Sequence, residues 1–342
     1  MDVTIRGAGI LGLSVAWECA MRGARVQVID PHGIGAGSSG GIVGALAPHV
    51  PENWNAKKEF QFQSLIAAEP FWVRVEQVSG MPSGYGRLGR IQPIEDQNQL
   101  ALAHLRAENA KMLWQKKAEW RVINRAPHFA PSSATGFWIK DTLSARLNPR
   151  QACDALAEAL LLLGVSFARE GVNQGRTLWA TGAEDLFRIS KALNRQFGGG
   201  VKGQAALFKM DRRDCAQVFA HTLHFIPHED GTLAVGSTSE RIYENGTSTD
   251  EKVHKLVTDA REVLTDLKSA KVIQTWAGVR PRSKSRAPVL GIHPLFPDAY
   301  IANGGFKIGL GMAPKIAEVM SDLMLEGSDN IPEDFRPEKS LA

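Results

Sequence analysis

Cysteine and long apolar runs are scarce in this chain of 342 residues. The three cysteines, Cys19, Cys153 and Cys215, are far apart, so none has the spacing of a disulfide framework or a zinc site, and we expect a reducing compartment, the cytoplasm. The longest apolar stretch, residues 155–163, contains Glu158 and is far too short to span a membrane. The sequence opens directly into a β-rich run, which predicts that no signal peptide is present.

An excess of charge of one sign is also lacking. The 40 basic and 36 acidic side chains give a net charge of +4, which is too small by itself to indicate a nucleic-acid partner. Hydrophobic residues make up 44% and charged residues 22% of the chain, as in ordinary soluble globular proteins. We therefore predict no metal site and no nucleic-acid partner, and a length of this kind favours two domains.

The strongest motif lies at the amino terminus. Residues 2–6 form a β-rich run, and Gly7, Gly9 and Gly12 follow with G-x-G-x-x-G spacing. A helical stretch comes next, and a second apolar run ends on Asp30. This order of strand, glycine turn, helix, strand and acid is the context that makes the glycine pattern a dinucleotide-binding motif. The helix N-terminus would meet a diphosphate, and the Asp30 carboxylate would accept hydrogen bonds from ribose hydroxyls.

A second stretch rich in small residues follows the acid. Six of the twelve residues 33–44 are glycine, and Ser38 and Ser39 lie between them. Glycine lets a backbone press against a flat ligand and direct N–H groups at it. Because the stretch continues into the apolar residues 42–48, we interpret it as ligand contact rather than as a flexible loop.

The order of elements further along predicts an interrupted nucleotide domain. Roughly 130 residues separate the amino-terminal motif from the next strand–glycine–helix crossover, a strand at 177–180 followed by Thr181 and Gly182 and a helix at 184–197. Such an interruption suits a long ligand such as FAD. The predicted fold class is α/β, with a doubly wound, Rossmann-like FAD-binding domain and an interleaved α+β substrate domain on a mixed or antiparallel sheet. The predicted boundaries are 1–50, 146–205 and 285–330 for the FAD-binding domain, and 51–145 and 206–284 for the substrate domain.

The carboxy-terminal part carries a cluster of basic residues and a closing helix. A strand at 271–279 precedes a predicted basic loop with Arg280, Arg282, Lys284 and Arg286. This loop is either a solvated surface or a device that selects an acidic substrate group or a phosphate. A strand at 299–302 then leads through a glycine turn into a predicted helix at 307–325.

These segments, in this order, resemble the FAD-dependent amino acid oxidase family, and within it the glycine oxidases. The resemblance spans nearly the whole chain and rests on short segments: 7–12 with Asp30, 37–39, 44–48, 148–150, 181–183, 202–204, 225–227, 235–238, 276–281 and 303–314. It implies non-covalent FAD, with cofactor contacts from Gly7, Gly9, Ile10, Leu11, Gly12, Asp30, Pro31, Ser38, Ser39, Gly44, Ala45, Leu46, Thr181, Gly182, Gly304, Gly305, Phe306, Lys307 and Ile308.

The resemblance also implies a reaction and the residues that serve it. A hydride would pass from the substrate α-carbon to the flavin N5, and the resulting imine would hydrolyse to an oxo acid and an amine. Arg280 matches the arginine that holds the substrate carboxylate, with Lys307 and His224 as further catalytic candidates. No strong side-chain base is required, since the cofactor supplies the chemistry and the protein supplies orientation.

Four pocket positions depart from the family pattern. Ala45 and Ser239 stand where methionines are usual, His224 where a tyrosine is usual, and Lys307 where a second arginine is expected. With Arg280 they form the predicted substrate-binding set. The pocket should therefore be roomier and more polar than one shaped for glycine, although His224 fits a structural role equally well.

Together these features predict an FAD-dependent oxidase or dehydrogenase. Its substrate would be glycine, a D-amino acid or an N-substituted glycine, its electron acceptor oxygen or a quinone, and a homo-oligomer is compatible with the sequence. One alternative is a related flavoprotein that oxidises a secondary amine on a modified tRNA nucleotide, which only the basic loop favours. The other is a flavin-binding subunit of a larger dehydrogenase complex, which the altered pocket residues allow.

Overall fold

The computed structural model describes all residues from 1 to 342. Its strands, in chain order, are β1 (Asp2–Arg6), β2 (Arg25–Ile29), β3 (Ala45–Leu46), β4 (Arg90–Pro93), β5 (Trp120–Ile123), β6 (Trp138–Asp141), β7 (Ala145–Arg146), β8 (Ser166–Ala168), β9 (Arg176–Trp179), β10 (Gly198–Lys209), β11 (Gln217–Ala220), β12 (Leu223–Pro227), β13 (Thr232–Gly236), β14 (Val272–Ser283), β15 (Val289–His293) and β16 (Phe296–Asn303). The helices are α1 (Ile10–Met21), α2 (Ala56–Ser79), α3 (Gln97–Leu113), α4 (Pro149–Leu162), α5 (Gly182–Ala192), α6 (Glu251–Val263), α7 (Gly309–Ser321) and α8 (Glu338–Leu341).

A six-stranded sheet carries the amino-terminal motif. Its order is β15-β16-β9-β1-β2-β8, and all neighbouring strands are parallel except β15, which runs antiparallel to β16. The chain proceeds from β1 to β2 on one side, while β9 pairs with β1 on the other side. The strand order therefore reverses beside β1, and in open α/β sheets ligands bind at this point, outside the carboxyl ends of the strands.

The second large sheet has eight strands in the order β14-β10-β13-β12-β11-β4-β6-β5. Its pairs are antiparallel except for β4 with β11, so the sheet is mixed. A short ladder of β3 with β7 forms the third sheet. This architecture confirms the predicted fold class of a doubly wound nucleotide sheet combined with a mixed sheet.

Helix starts follow the capping residues, and several predicted ends are wrong. The Asn148 side chain accepts from the N–H of Gln151 ahead of a proline in the first turn of α4, as the sequence indicates. The predicted helix 184–197 instead ends at Ala192, and α3 ends at Leu113. After Leu113 the chain turns through residues 115 and 116, which have positive φ and cannot continue a helix.

Two cores hold these layers together. Helices α1, α2, α4 and α7 pack on one another beside the six-stranded sheet, around fully buried side chains such as Trp17 and Trp72. A smaller core lies between the eight-stranded sheet and α6, around Phe208 and Phe225. None of the helices has the length and apolar character needed to cross a membrane, and no group of three or more His, Cys, Asp or Glu side chains could hold a metal ion.

The domain boundaries remain a prediction. Strand β10 lies wholly in the eight-stranded sheet, whereas the boundary predicted at 205 cuts through the middle of this strand. We propose residue 197, immediately before β10, as the better boundary.

Candidate active site

One cavity of about 740 Å³ extends from the carboxyl ends of β1 and β9 to the eight-stranded sheet. Its size falls within the ~300–1,000 Å³ typical of small-molecule sites. Sixteen of the predicted cofactor and substrate residues line it: Gly9, Ile10, Leu11, Asp30, Pro31, Ser38, Ser39, Ala45, Thr181, Gly182, His224, Arg280, Gly305, Phe306, Lys307 and Ile308. Gly7, Gly12, Gly44, Leu46 and Gly304 do not line it, and Ser239 lines a second cavity next to it.

The turn between β1 and α1 requires its glycines. Gly7 has a φ of +107°, and a Cβ on it would lie 2.4 Å from the carbonyl oxygen of Ala180. A Cβ on Gly12 would lie 2.0 Å from the carbonyl oxygen of Gly7. Because neither position has room for a side chain, the backbone of the turn can pack directly against the end of β9, and the first turn of α1 faces the cavity.

Two side chains hold this turn by hydrogen bonds to its backbone. Asp30 accepts from the N–H of Ala8 at 2.7 Å and, through its other oxygen, from the N–H of His32 at 2.8 Å. Ser39 Oγ accepts from the N–H of Ile10 at 2.9 Å. Further N–H groups of the first helical turn lack intrahelical partners, so a diphosphate can be bound there. Asp30 thus shapes the turn while it lines the cavity, and its contact with a ribose stays a prediction.

A second turn, 304–308, closes the same cavity from the side of β16. Asn303 joins it to the start of α5, since its Nδ2 donates to the Gly182 carbonyl at 2.9 Å and its Oδ1 accepts from the N–H of Gly304 at 2.8 Å. The N–H of Phe306 donates to the carbonyl of Pro281 at 3.0 Å. Helix α7 begins only at Gly309, so the predicted helix start at residue 307 is wrong, and Lys307 belongs to the turn.

Arg280 lies inside β14 and not in a loop after it. Its Nη1 donates to Ser237 Oγ at 2.6 Å, and its Nη2 donates to the carbonyls of Thr238 at 2.6 Å and Lys202 at 3.3 Å. These bonds use three of the five guanidinium N–H groups, and the buried Nε has no partner. Burial lowers the pKa of Arg280 to about 10, so the side chain stays charged at neutral pH without a carboxylate partner. At most two N–H groups are therefore left for a ligand, and the role of Arg280 in holding the substrate carboxylate stays a prediction.

The ring of Phe306 lies among three cations. The guanidinium carbons of Arg280 and Arg282 are 5.4 Å and 5.3 Å from the ring centroid, and Lys307 Nζ is 6.0 Å from it. An aromatic face attracts cations and so offsets part of their mutual repulsion. Burial and the charge of Arg280 lower the pKa of Lys307. The structure thus brings the predicted residues Arg280 and Lys307 to one place in the cavity.

The basic stretch 280–286 is not an exposed loop. Strand β14 continues to Ser283, so Arg280 and Arg282 are strand residues that are buried and half-buried respectively. Only Lys284 and Arg286 of the four cations are exposed. This correction removes the contiguous basic surface on which the tRNA alternative depended.

Two histidines line the substrate end of the cavity. The His224 ring packs on Phe219 with centroids 4.6 Å apart, and its Nδ1 is buried without a partner. Burial, followed by the charges of Arg90 and Lys307, lowers the pKa of His224 to about 3. His49 was not predicted, and burial lowers its pKa as well. Both imidazoles are therefore neutral at neutral pH and can donate or accept a hydrogen bond.

Sequence reasoning also missed two residues that support the predicted ones. The buried His228 donates from Nε2 to the carbonyl of Ile42 at 2.9 Å, which anchors the small-residue stretch against the second sheet. Gly203 faces the Arg280 guanidinium, and a Cβ there would lie 2.3 Å from Nη2. Gly203 is one of four glycines in β10, and no local pattern identifies the partner of either residue.

The fold and the site define a dinucleotide-binding oxidoreductase architecture, with a glycine turn at a strand-order reversal and a cationic end to the cavity. The model of the DAO family, described as FAD dependent oxidoreductase, matches residues 2–323. The chain therefore belongs to this family and is an FAD-dependent oxidoreductase.

Individual relatives are distant but cover nearly the whole chain. It is 26% identical to the glycine oxidase of Pseudomonas aeruginosa, with 94% of each protein covered. It is 23% identical to the bifunctional protein ThiO/ThiG of a Nostoc species, matching 95% of this chain but only 53% of that protein, so it spans about half of that relative's length. Among solved structures, the glycine oxidase of Geobacillus kaustophilus superimposes with a TM-score of 0.85 at 18% identity, over 98% of this chain and 97% of that one.

Proposed function

We propose that this enzyme oxidises the amine of a small amino acid, namely glycine, a D-amino acid or an N-substituted glycine, to an imine that water hydrolyses to an oxo acid and an amine. One observation carries the proposal. The Arg280 guanidinium, which has no carboxylate partner, lines the same cavity as the glycine turn and the first turn of α1. A cation at the far end of a dinucleotide-length cavity suits a substrate carboxylate. The glycine oxidases among the relatives support the same substrate class.

The residues at the nucleotide end fit FAD. The crowded turn at Gly7 and Gly12, the N–H groups at the start of α1 and the small-residue stretch together form a groove whose walls are mainly backbone. We assign the diphosphate to Gly9–Leu11, the ribose to Asp30, and the flavin to the surfaces of residues 43–45 and 305–308. FAD, when bound, supplies the acceptor for the hydride and its two electrons.

The protein's own contribution is orientation and control of the substrate charge. Arg280 would hold the carboxylate so that the α-carbon lies in a fixed position, an effect that lowers the barrier through proximity. The positive charges of Arg280 and Lys307 favour the neutral amine over its ammonium form, because like charges lower an amine pKa. The amine must lose its proton before the adjacent C–H bond can release a hydride.

Proton removal needs no carboxylate side chain here. The acidic residues that line the cavity, Asp30, Glu184 and Asp185, all lie at its nucleotide end, after β2 or in the first turn of α5. Solvent in the cavity takes the proton. The imidazoles of His49 and His224 are poor proton acceptors because their pKa values are lowered, but as neutral groups they can orient that solvent by hydrogen bonds.

Anaerobic reduction tests the proposal directly. The purified holoenzyme is mixed with glycine, D-amino acids and N-alkyl glycines without oxygen, and bleaching of the visible flavin bands is followed. We expect bleaching by at least one member of the panel, and an Arg280→Ala variant that retains FAD but requires about 100-fold more substrate, as the loss of a charged hydrogen bond predicts. Unchanged substrate dependence in this variant would remove the assignment of Arg280. Bleaching by no amine at all would favour the alternative of a flavin-binding subunit.

A further inference from the structure

A second cavity of about 600 Å³ adjoins the first one. Nine of its twelve lining residues are polar or charged, and it is bounded by the turn before β12, the segment after β13 and one face of α6. Ser237 and Lys307 line both cavities. The proposed substrate end therefore adjoins, at these two residues, a polar space that glycine alone would leave empty.

Arg280 lies at the junction of the two cavities. The hydroxyl of Ser237, one of the shared residues, accepts from Arg280 Nη1 at 2.6 Å. Lys307, the other shared residue, lies beside the same Phe306 ring as Arg280, with its Nζ 6.0 Å and the Arg280 guanidinium carbon 5.4 Å from the ring centroid. A ligand whose carboxylate faces Arg280 can thus extend past Lys307 into the second cavity.

The charges in the second cavity do not balance. Lys252 pairs with the buried Glu240 at 2.8 Å, and Lys255 pairs with Asp259 at 2.8 Å. Lys307 has no carboxylate partner. Three lining lysines therefore face two carboxylates, and the Arg280 guanidinium beside them adds a second uncompensated positive charge.

A single substrate carboxylate would neutralise only one of these two charges. The remaining cation would stay next to another cation, where the face of Phe306 offers limited compensation. An anionic group on the ligand itself would remove the repulsion and would bind favourably for the same reason.

We propose that the second cavity is the subsite for a second anionic group of the substrate, held by Lys307. This inference rests on the proposed function and narrows it to dianionic amino acids, in which one carboxylate faces Arg280 and a carboxylate or phosphoryl group on the amine substituent or side chain reaches Lys307. Thr222 and Ser239, which have hydroxyls in the second cavity, are the neutral donors available to the same group.

A matched pair of substrates tests the inference. N-(2-carboxyethyl)glycine and N-propylglycine have nearly the same shape and differ in one charge. With the FAD-loaded enzyme we expect kcat/KM to favour the dianionic compound by about tenfold or more. Lys307→Met should remove most of this preference, so that kcat/KM falls about tenfold more with the dianionic compound than with N-propylglycine. Lys140→Met, which alters an exposed lysine of β6 outside both cavities, should leave the preference intact.

Binding provides a readout that does not depend on turnover. The thioethers 3-(carboxymethylthio)propionate and (propylthio)acetate replace the reactive nitrogen with sulfur, so they can perturb the flavin spectrum without being oxidised. We expect the dianion to bind about tenfold more tightly than the monoanion, and Lys307→Met to abolish the difference.

The outcomes separate this inference from the function on which it rests. Equal efficiency with the two amines, or an equal loss with both in Lys307→Met, would overturn the subsite and leave amine oxidation in place, because Lys307 would then serve the α-carboxylate alone. No reduction by either amine and no spectral change with either thioether would overturn both.

Discussion

The two ends of the main cavity differ in the groups that border them, which are largely backbone at one end and side chains at the other. At the nucleotide end the backbone of the glycine turn and of the small-residue stretch borders the cavity, and side chains such as Asp30 and Ser39 hold the turn by hydrogen bonds. At the substrate end the walls are side chains, with Arg280 and Lys307 supplying the charge and His224 a neutral polar face. A backbone site tolerates few sequences and serves one ligand, whereas a side-chain site can change its ligand without a change of fold.

This difference explains why the family is clear and the substrate is a proposal. The solved glycine oxidase keeps the fold at 18% identity, because the sheet, the glycine turn and the helix packing fix it. By the resemblance, Ala45, His224 and Lys307 stand where other residues are expected, which is a prediction about the volume and polarity of the pocket. The first prediction below tests the backbone end and the next two test the side-chain end, while the last concerns a residue that joins them.

The largest effect should come from a side chain added to the glycine turn. In Gly12→Ala the new Cβ would lie 2.0 Å from the Gly7 carbonyl oxygen, which cannot move without displacing β1 from α1. We expect a loss of more than about 4 kcal/mol in the free energy of unfolding, or failure to fold, as for severe backbone clashes. Urea unfolding and the ratio of flavin to protein absorbance measure it. Gly199→Ala is the control, since it lies outside the cavity and its added Cβ meets only the exposed Phe187 ring, at 3.3 Å. Similar behaviour of both variants would contradict the idea of a backbone-built site.

The second prediction tests whether the Arg280 side chain must occupy its present position, because the variant displaces the guanidinium without removing it. In Gly203→Ala the added Cβ would lie 2.3 Å from Arg280 Nη2 and would push the guanidinium away. We expect kcat/KM to fall about 100-fold, because misplacement of a substrate-orienting group by about 1 Å is this costly, while FAD stays bound. Gly199→Ala on the same strand meets only the exposed Phe187 ring, at 3.3 Å, and should remain active. Full activity of Gly203→Ala would show that Arg280 does not need its present place.

The sequence predicts the nucleotide end of the cavity better than the substrate end. The strand–glycine–helix–strand–acid order predicted the turn and the position of Asp30 after the second strand, since periodicity and glycine spacing report local backbone demands. The bonds from Asp30 to the N–H groups of Ala8 and His32 were not predicted. The bond from Arg280 to Ser237 and its packing on Gly203 join segments far apart in sequence, and no local pattern reports such pairs. The predicted basic loop 280–286 failed for the same reason, because pairing with β10 extends β14 through Arg280 and Arg282. No local pattern relates His228 to its partner Ile42, because the two residues are 186 positions apart in the sequence.

The third prediction concerns the neutral histidine at the substrate end. Burial, followed by the charges of Arg90 and Lys307, lowers the pKa of His224 to about 3 from an ordinary 6.5. Below pH 6.5 the unfolded chain binds a proton that the folded protein does not bind until about pH 3, so this contribution to stability is complete above pH 6.5 and falls as the pH decreases. At pH 5 the loss is about 2 kcal/mol, at 1.36 kcal/mol for each pH unit.

Replacing His224 measures this contribution. His49 and His228 are also buried with lowered pKa values, so the parent protein loses stability through several groups as the pH falls. His224→Phe should reduce the difference in unfolding free energy between pH 8 and pH 5 by about 2 kcal/mol relative to the parent. His104→Phe, at an exposed position of α3, should keep the parental difference. Identical pH dependence of His224→Phe and the parent would mean that His224 is charged in the folded protein.

The smallest effect should come from His228, which connects the two ends. Its Nε2 donates to the Ile42 carbonyl, and Val43 and Ala45, just beyond, line the cavity. His228→Phe keeps a ring of similar size but removes the donor, so we expect the free energy of unfolding to fall by about 1 kcal/mol, the net value of one hydrogen bond.

If the bond from His228 holds the small-residue stretch against the flavin, FAD should also dissociate about fivefold more readily, as 1 kcal/mol implies. Fluorescence of released flavin measures this release, with His254→Phe on the exposed face of α6 as the control. A drop in stability with unchanged FAD affinity would make His228 a core residue of the eight-stranded sheet, and the backbone end of the cavity would then be independent of the side-chain end.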